Sequence, residues 1–203
     1  MDTRKELPHF YIGSSLGGQQ KWYSRLTDFA MNVGGCAAVS ACDCAICFEK
    51  YFGLRGLYPF DLQNLTREDY LRFGKVMEPY LYPRWSGVDR LDIYLDGLGR
   101  FLKDRGADIK LAGWSGDNNP SDTWQIICKQ IDASYPIPCL VLKHQAAELS
   151  DYTWHWFILN GYEERGDKFF VQAVSYGVGR WLDFATLWDT GYERKGGLIL
   201  FEL

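Results

Sequence analysis

The chain has 203 residues, enough for one domain, or two lobes sharing one core, with a sizeable interior. Its 47% hydrophobic and 24% charged residues are those of a globular protein, and a net charge of −4 with mixed signs argues against nucleic acid as the main partner. The aromatic share of 16%, with eight tryptophans, suits an aromatic core or a lined groove.

The segment Met1 to Glu6 is polar and lacks the apolar stretch of a secretory signal. No apolar run approaches the roughly 18 residues that cross a bilayer, so the expectation is a cytoplasmic chain with no membrane span. A short apolar piece at Phe10–Ile12 leads into a glycine-containing loop, and Lys21 to Met31 reads as a short helix or an irregular lead-in. Residues 35–52 form a predicted helix that is apolar nearly all round, which places it at the centre of the fold. Thr66 caps a further helix, with Glu68 and Asp69 in its first turn, running to about Met77 before Pro79. The next helix starts near Ser86 and carries Leu91, Leu95, Leu98 and Leu102 on one face; another begins around Pro120. The pattern then changes. Short strands are predicted at 138–142, 152–160, 168–175 and 197–202, with a hairpin-like turn at 161–167 and a helical turn at 183–188. Helices first and antiparallel strands last predict an α+β fold.

Six cysteines, Cys36, Cys42, Cys44, Cys47, Cys128 and Cys139, include four packed between positions 36 and 47, a spacing that suits a reducing compartment rather than a disulfide framework. A single C-x2-C pair inside a helical run, with no second pair, does not suit a metal site, and no phosphate-loop signature follows Gly17-Gly18 or Gly34-Gly35. No metal or organic cofactor is therefore expected. Core packing accounts for Cys42, Cys44 and Cys47. Cys36 differs, because it follows Gly34-Gly35 and opens the central helix, where unpaired backbone N–H groups and the macrodipole favour a thiolate. Among the three histidines, His9 lies in a polar N-terminus and His144 ends a strand. His155 is set among aromatic residues on a strand, a setting that fixes an imidazole against another group.

Gly35-Cys36-Ala37-Ala38 at a helix start, followed far along the chain by His155-Trp156-Phe157-Ile158-Leu159-Asn160-Gly161-Tyr162, resembles the papain-like cysteine peptidases. The closest likeness is to bacterial relatives of the bacteriocin-processing (double-glycine leader) peptidases. The Gly-Tyr offset after the histidine and the order Cys before His both agree, and the likeness covers roughly residues 30–50 and 136–202. The resemblance implies a papain-like fold in one domain, with a helical lobe over about 21–135, an antiparallel β lobe over about 136–203, and the active cleft between them. It further implies a thiol-dependent hydrolase of peptide or amide bonds, with Cys36 as nucleophile and His155 as general acid/base. Its partner would be a peptide or small amide substrate. An acyltransferase on the same scaffold, or a catalytically silent peptide-binding domain, are the alternatives.

Family members place a glutamine about half a dozen residues before the cysteine, where its amide helps hold the oxyanion. Here that neighbourhood holds Phe29, Ala30 and Met31, so Asn32 is the first substitute and Gln20 the second. The residue that orients the histidine is an asparagine or aspartate on the next strand. Ser175-Tyr176-Gly177 is similar to the family's Asn-Ser-Trp-Gly stretch, which puts Val174 at the asparagine position. Gln172 shares a face with Val174 by strand alternation and is the preferred orienter, ahead of Ser175.

Overall fold

A computed structural model describes residues 3–84 and 87–202. In chain order the elements are β1 (Thr3–Glu6), β2 (Tyr11–Ile12), β3 (Ser15–Leu16), α1 (Phe29–Gly34), α2 (Cys36–Phe52), α3 (Arg67–Met77), α4 (Leu91–Asp104), β4 (Lys110–Ser115), α5 (Pro120–Asp132), β5 (Ile137–Val141), β6 (His155–Arg165), β7 (Lys168–Ser175), β8 (Val178–Asp183), α6 (Phe184–Trp188) and β9 (Gly197–Glu202). The α+β class follows directly. An antiparallel seven-stranded sheet runs in the order β4-β9-β5-β6-β7-β8, and β1 adds to the far half of β6.

The central helix is α2. Ala37, Ala38, Ala41 and Ala45 have no exposure, and such small side chains let the helix approach the sheet closely. Against it pack Trp156 and Ile158 of β6 and Val174 of β7. The alternate residues of the same strands, Phe157, Leu159, Val171 and Ala173, face a second core built with α5 and α6. Both faces of β6 are therefore covered, which is why its sequence is a continuous apolar run rather than an alternating one. Thr66 caps α3 as its sequence indicates, accepting from the Asp69 N–H at 3.1 Å.

Three expectations change. The turn placed at 161–167 is mostly strand, since β6 runs on to Arg165 and the reversal falls at Gly166-Asp167. Gly161 serves close approach instead: a Cβ there would lie 2.8 Å from the Lys5 carbonyl of β1. The sheet also does not begin near residue 136, because β1 and β4 join it from within the first two thirds of the chain. The helix start placed at Ser86 lies outside the described residues, and the helix itself begins at Leu91. Among the described residues no helix is long and apolar enough to cross a membrane.

Candidate functional site

Cys36 is the first residue of α2, and His155 is the first residue of β6. Each is 6% exposed. Both line a cleft of about 530 Å³, together with Gln20, Lys21, Arg84 and Trp154. They also share a small inner pocket with Ser40, Asp43 and Ser175. Two residues nearly 120 positions apart in the chain are thus brought to one wall-to-wall site by the docking of α2 against β6.

The electrostatics of the pair differ from those of a bare thiol at a helix end. Burial pushes the Cys36 thiol up, while the backbone N–H groups of Trp156, Ala37 and Cys36 itself pull the other way without reversing it. For His155, burial and then the positive charge of Lys21 bring the imidazole down to about 4. Near neutral pH the Cys36 thiol and the His155 imidazole are therefore both uncharged. The backbone N–H groups at the start of α2 favour the thiolate, as the sequence leads one to expect, but desolvation opposes it more strongly.

His155 is oriented by Ser175. Its Nε2 lies 2.7 Å from Ser175 Oγ, and its ring stacks on Tyr176 at 4.6 Å between centroids. Gln172 does not perform this role. Its amide donates to Glu6 at 2.7 Å, and it pairs with Gly161, six positions along β6 from His155, roughly 20 Å at about 3.3 Å per residue. The register explains the error. Ile158 opposes Val174 and Leu159 opposes Ala173, so Ser175 has the strand parity of His155 and Gln172 has the opposite one.

Asn32 likewise holds structure rather than the site. Its amide donates to the Tyr23 carbonyl at 2.6 Å and its Oδ1 accepts from Arg25, which ties down the irregular segment before α1. Asn32 lines neither pocket that contains Cys36. Gln20, the second substitute, lines both. A 3-10 turn over Gln20–Trp22 presents it, its amide makes long contacts of 3.3 and 3.4 Å to the Asn32 and Val33 carbonyls, and its buried Oε1 has no partner.

Ser40 and Asp43 escaped the sequence reading. They follow Cys36 by four and seven positions, a helical spacing that continues its face, and that spacing is the signal that reveals them. Asp43 accepts from the Tyr70 hydroxyl at 2.6 Å and from the Gly18 N–H at 3.1 Å. Among the described residues no three His, Cys, Asp or Glu side chains are grouped to hold a metal ion, and all six cysteines are free. In comparisons with known proteins, no protein-family model and no curated protein matches the chain.

Proposed function

We propose that this protein is a thiol-dependent hydrolase of peptide or amide bonds with a papain-like arrangement. The observation that carries the reading is the convergence of Cys36, His155 and Gln20 on one cleft, with Ser175 on Nε2 of the imidazole. In this reading His155 Nε2–H donates to Ser175, which leaves Nδ1 to take the Cys36 proton as the sulfur attacks the substrate carbonyl. The oxyanion is held by the Cys36 backbone N–H at the start of α2 and by the Gln20 amide. The imidazolium returns its proton to the leaving amine, and water then cleaves the thioester.

One observation favours a second reading, a catalytically silent papain-like domain that binds peptide. The raised Cys36 thiol and the lowered His155 both oppose a resting ion pair. Iodoacetamide labelling near neutral pH, with each cysteine followed by mass spectrometry, separates the two. The hydrolase reading expects Cys36 to react faster than the half-buried Cys128, and Cys36→Ala to abolish turnover of a peptide library. A Cys36 no faster than Cys128, with no turnover, leaves the silent domain.

A further inference from the structure

Helix α2 holds a second thiol beside an imidazole, three turns beyond the first. Cys47 Sγ lies 3.7 Å from His9 Nδ1. The other ring nitrogen, His9 Nε2, lies 3.7 Å from Asp43 Oδ2. That second contact is an ion-pair distance rather than a hydrogen bond, and His9 Nε2 has no hydrogen-bond partner. Asp43 is fixed by Tyr70 and Gly18, so a buried carboxyl group, an imidazole and a thiol follow one another along this side of α2. Burial alone pulls His9 down. The Cys47 charge and Asp43 together overcome it and raise the imidazole to about 10.

Asp43 reaches the inner pocket beside Cys36, whereas Cys47 and His9 line neither pocket that contains Cys36. Cys47 and His9 line a separate cavity of about 300 Å³ whose other walls include Leu7, Tyr51, Phe52 and Asn160. Asn160 is 2% exposed, and its Oδ1 has no hydrogen-bond partner. The cavity therefore offers a sulfur nucleophile, a proton donor beside it and apolar walls.

We propose that Cys47 is a second reactive thiol and that its cavity admits a small uncharged hydroperoxide, which oxidises Cys47 to the sulfenic acid. The thiolate attacks the hydroxyl oxygen of the peroxide, and the S–O bond forms as the O–O bond breaks. The departing oxygen takes the proton from His9 Nδ1 and leaves as water or an alcohol. Sulfur is oxidised by two electrons and the peroxide is reduced by the same two. Tyr51 and Phe52, on the cavity wall, pack against any alkyl group.

The test uses the full chain carrying Cys36→Ala, so that its outcome does not depend on what happens in the other cleft. Hydrogen peroxide or tert-butyl hydroperoxide is added near neutral pH, with dimedone as trap, and each cysteine is mapped by mass spectrometry. Cys47 is expected to be trapped at least about tenfold faster than Cys128, and His9→Gln to slow it by about tenfold or more. A preference for tert-butyl hydroperoxide identifies an organic peroxide as the natural source, and the reverse preference identifies hydrogen peroxide. Trapping of Cys47 no faster than Cys128 overturns the proposal, and that comparison needs no His9 variant. Trapping unchanged in a folded His9→Gln protein overturns it as well.

Discussion

Tyr176 lies flat on His155, its ring plane within 3° of parallel and its centroid 4.6 Å away. Tyr176 and Gly177 form the two-residue turn between β7 and β8, with φ of 50° and 81°. Such left-handed pairs match the twist of a hairpin, so the turn swings the tyrosine ring over the neighbouring strand. A roof of this kind strips water from the imidazole, and burial is the larger of the two causes that hold His155 at about 4. Replacing Tyr176 by Ala is expected to raise the His155 pKa by about one unit or more, towards its ordinary value. Proton NMR titration of the His155 ring reads this directly. An unmoved titration would assign the depression to Lys21 instead.

Ser175 makes a separate and weaker claim on the same ring. A serine hydroxyl fixes the ring's orientation, yet it cannot stabilise an imidazolium as a carboxylate does. Ser175→Ala leaves a buried ring nitrogen unpaired and is expected to cost about 1–3 kcal/mol of stability, measured by urea unfolding. Ser175→Asp supplies a charge at that nitrogen and is expected to raise the His155 pKa and speed Cys36 alkylation at neutral pH. Gln172→Ala serves as the contrast. Its amide bonds to Glu6, so the His155 titration stays where it is in the unaltered protein.

The two shifted histidines bend stability in opposite directions. His155 falls from 6.5 to about 4 on folding, so the unfolded chain binds the extra proton between those values and stability drops as pH is lowered through them. The full loss is about 3 kcal/mol, at about 1.4 kcal/mol per unit. His9 is raised to about 10, so its contribution is complete below 6.5 and disappears as pH climbs towards that higher value. Stability is thus expected to peak near pH 6.5, where both contributions are present. Urea midpoints across pH 4–10 check it: His155→Gln should flatten the acid limb alone, and His9→Gln the alkaline limb alone.

How much of this could be read from the chain depended on whether the determining contact was local. The run of alanines and cysteines after Gly35 specifies a buried helix by itself, and Thr66 with Asp69 specifies a cap within four residues. Strands β1, β4 and β8 carry little local signal, because they are short, largely exposed and defined by partners distant in sequence. Gly161 is non-local in the same way. What makes it a glycine is the Lys5 carbonyl more than 150 residues earlier, which no local pattern reveals. At the site, the offset from His155 to Gly161-Tyr162 singled out the histidine. Choosing its orienter required the β6–β7 register, and one position of error in parity exchanges Ser175 for Gln172. His9 has polar neighbours in sequence, yet its side chain is only 2% exposed, beside Asp43.

Gln20 and Asn32 provide the sharpest test of the proposed chemistry, since their roles divide cleanly. Both are buried amides near the start of α2, and either could be drawn as an oxyanion donor from sequence spacing alone. Asn32 has its amide committed to Tyr23 at 2.6 Å, whereas Gln20 stands on the wall of the cleft beside Cys36 with only long contacts. An oxyanion donor acts on the transition state and not on the fold. Gln20→Ala is therefore expected to lower kcat by about a hundredfold or more while leaving Cys36 alkylation unchanged, because alkylation forms no oxyanion. Asn32→Ala strands the Tyr23 carbonyl and is expected to cost about 1–3 kcal/mol of stability with kcat nearly intact. Steady-state kinetics on any peptide the protein turns over, read beside urea unfolding of both variants, decides the matter. The opposite pattern, with kcat lost in Asn32→Ala and kept in Gln20→Ala, would return the oxyanion role to Asn32.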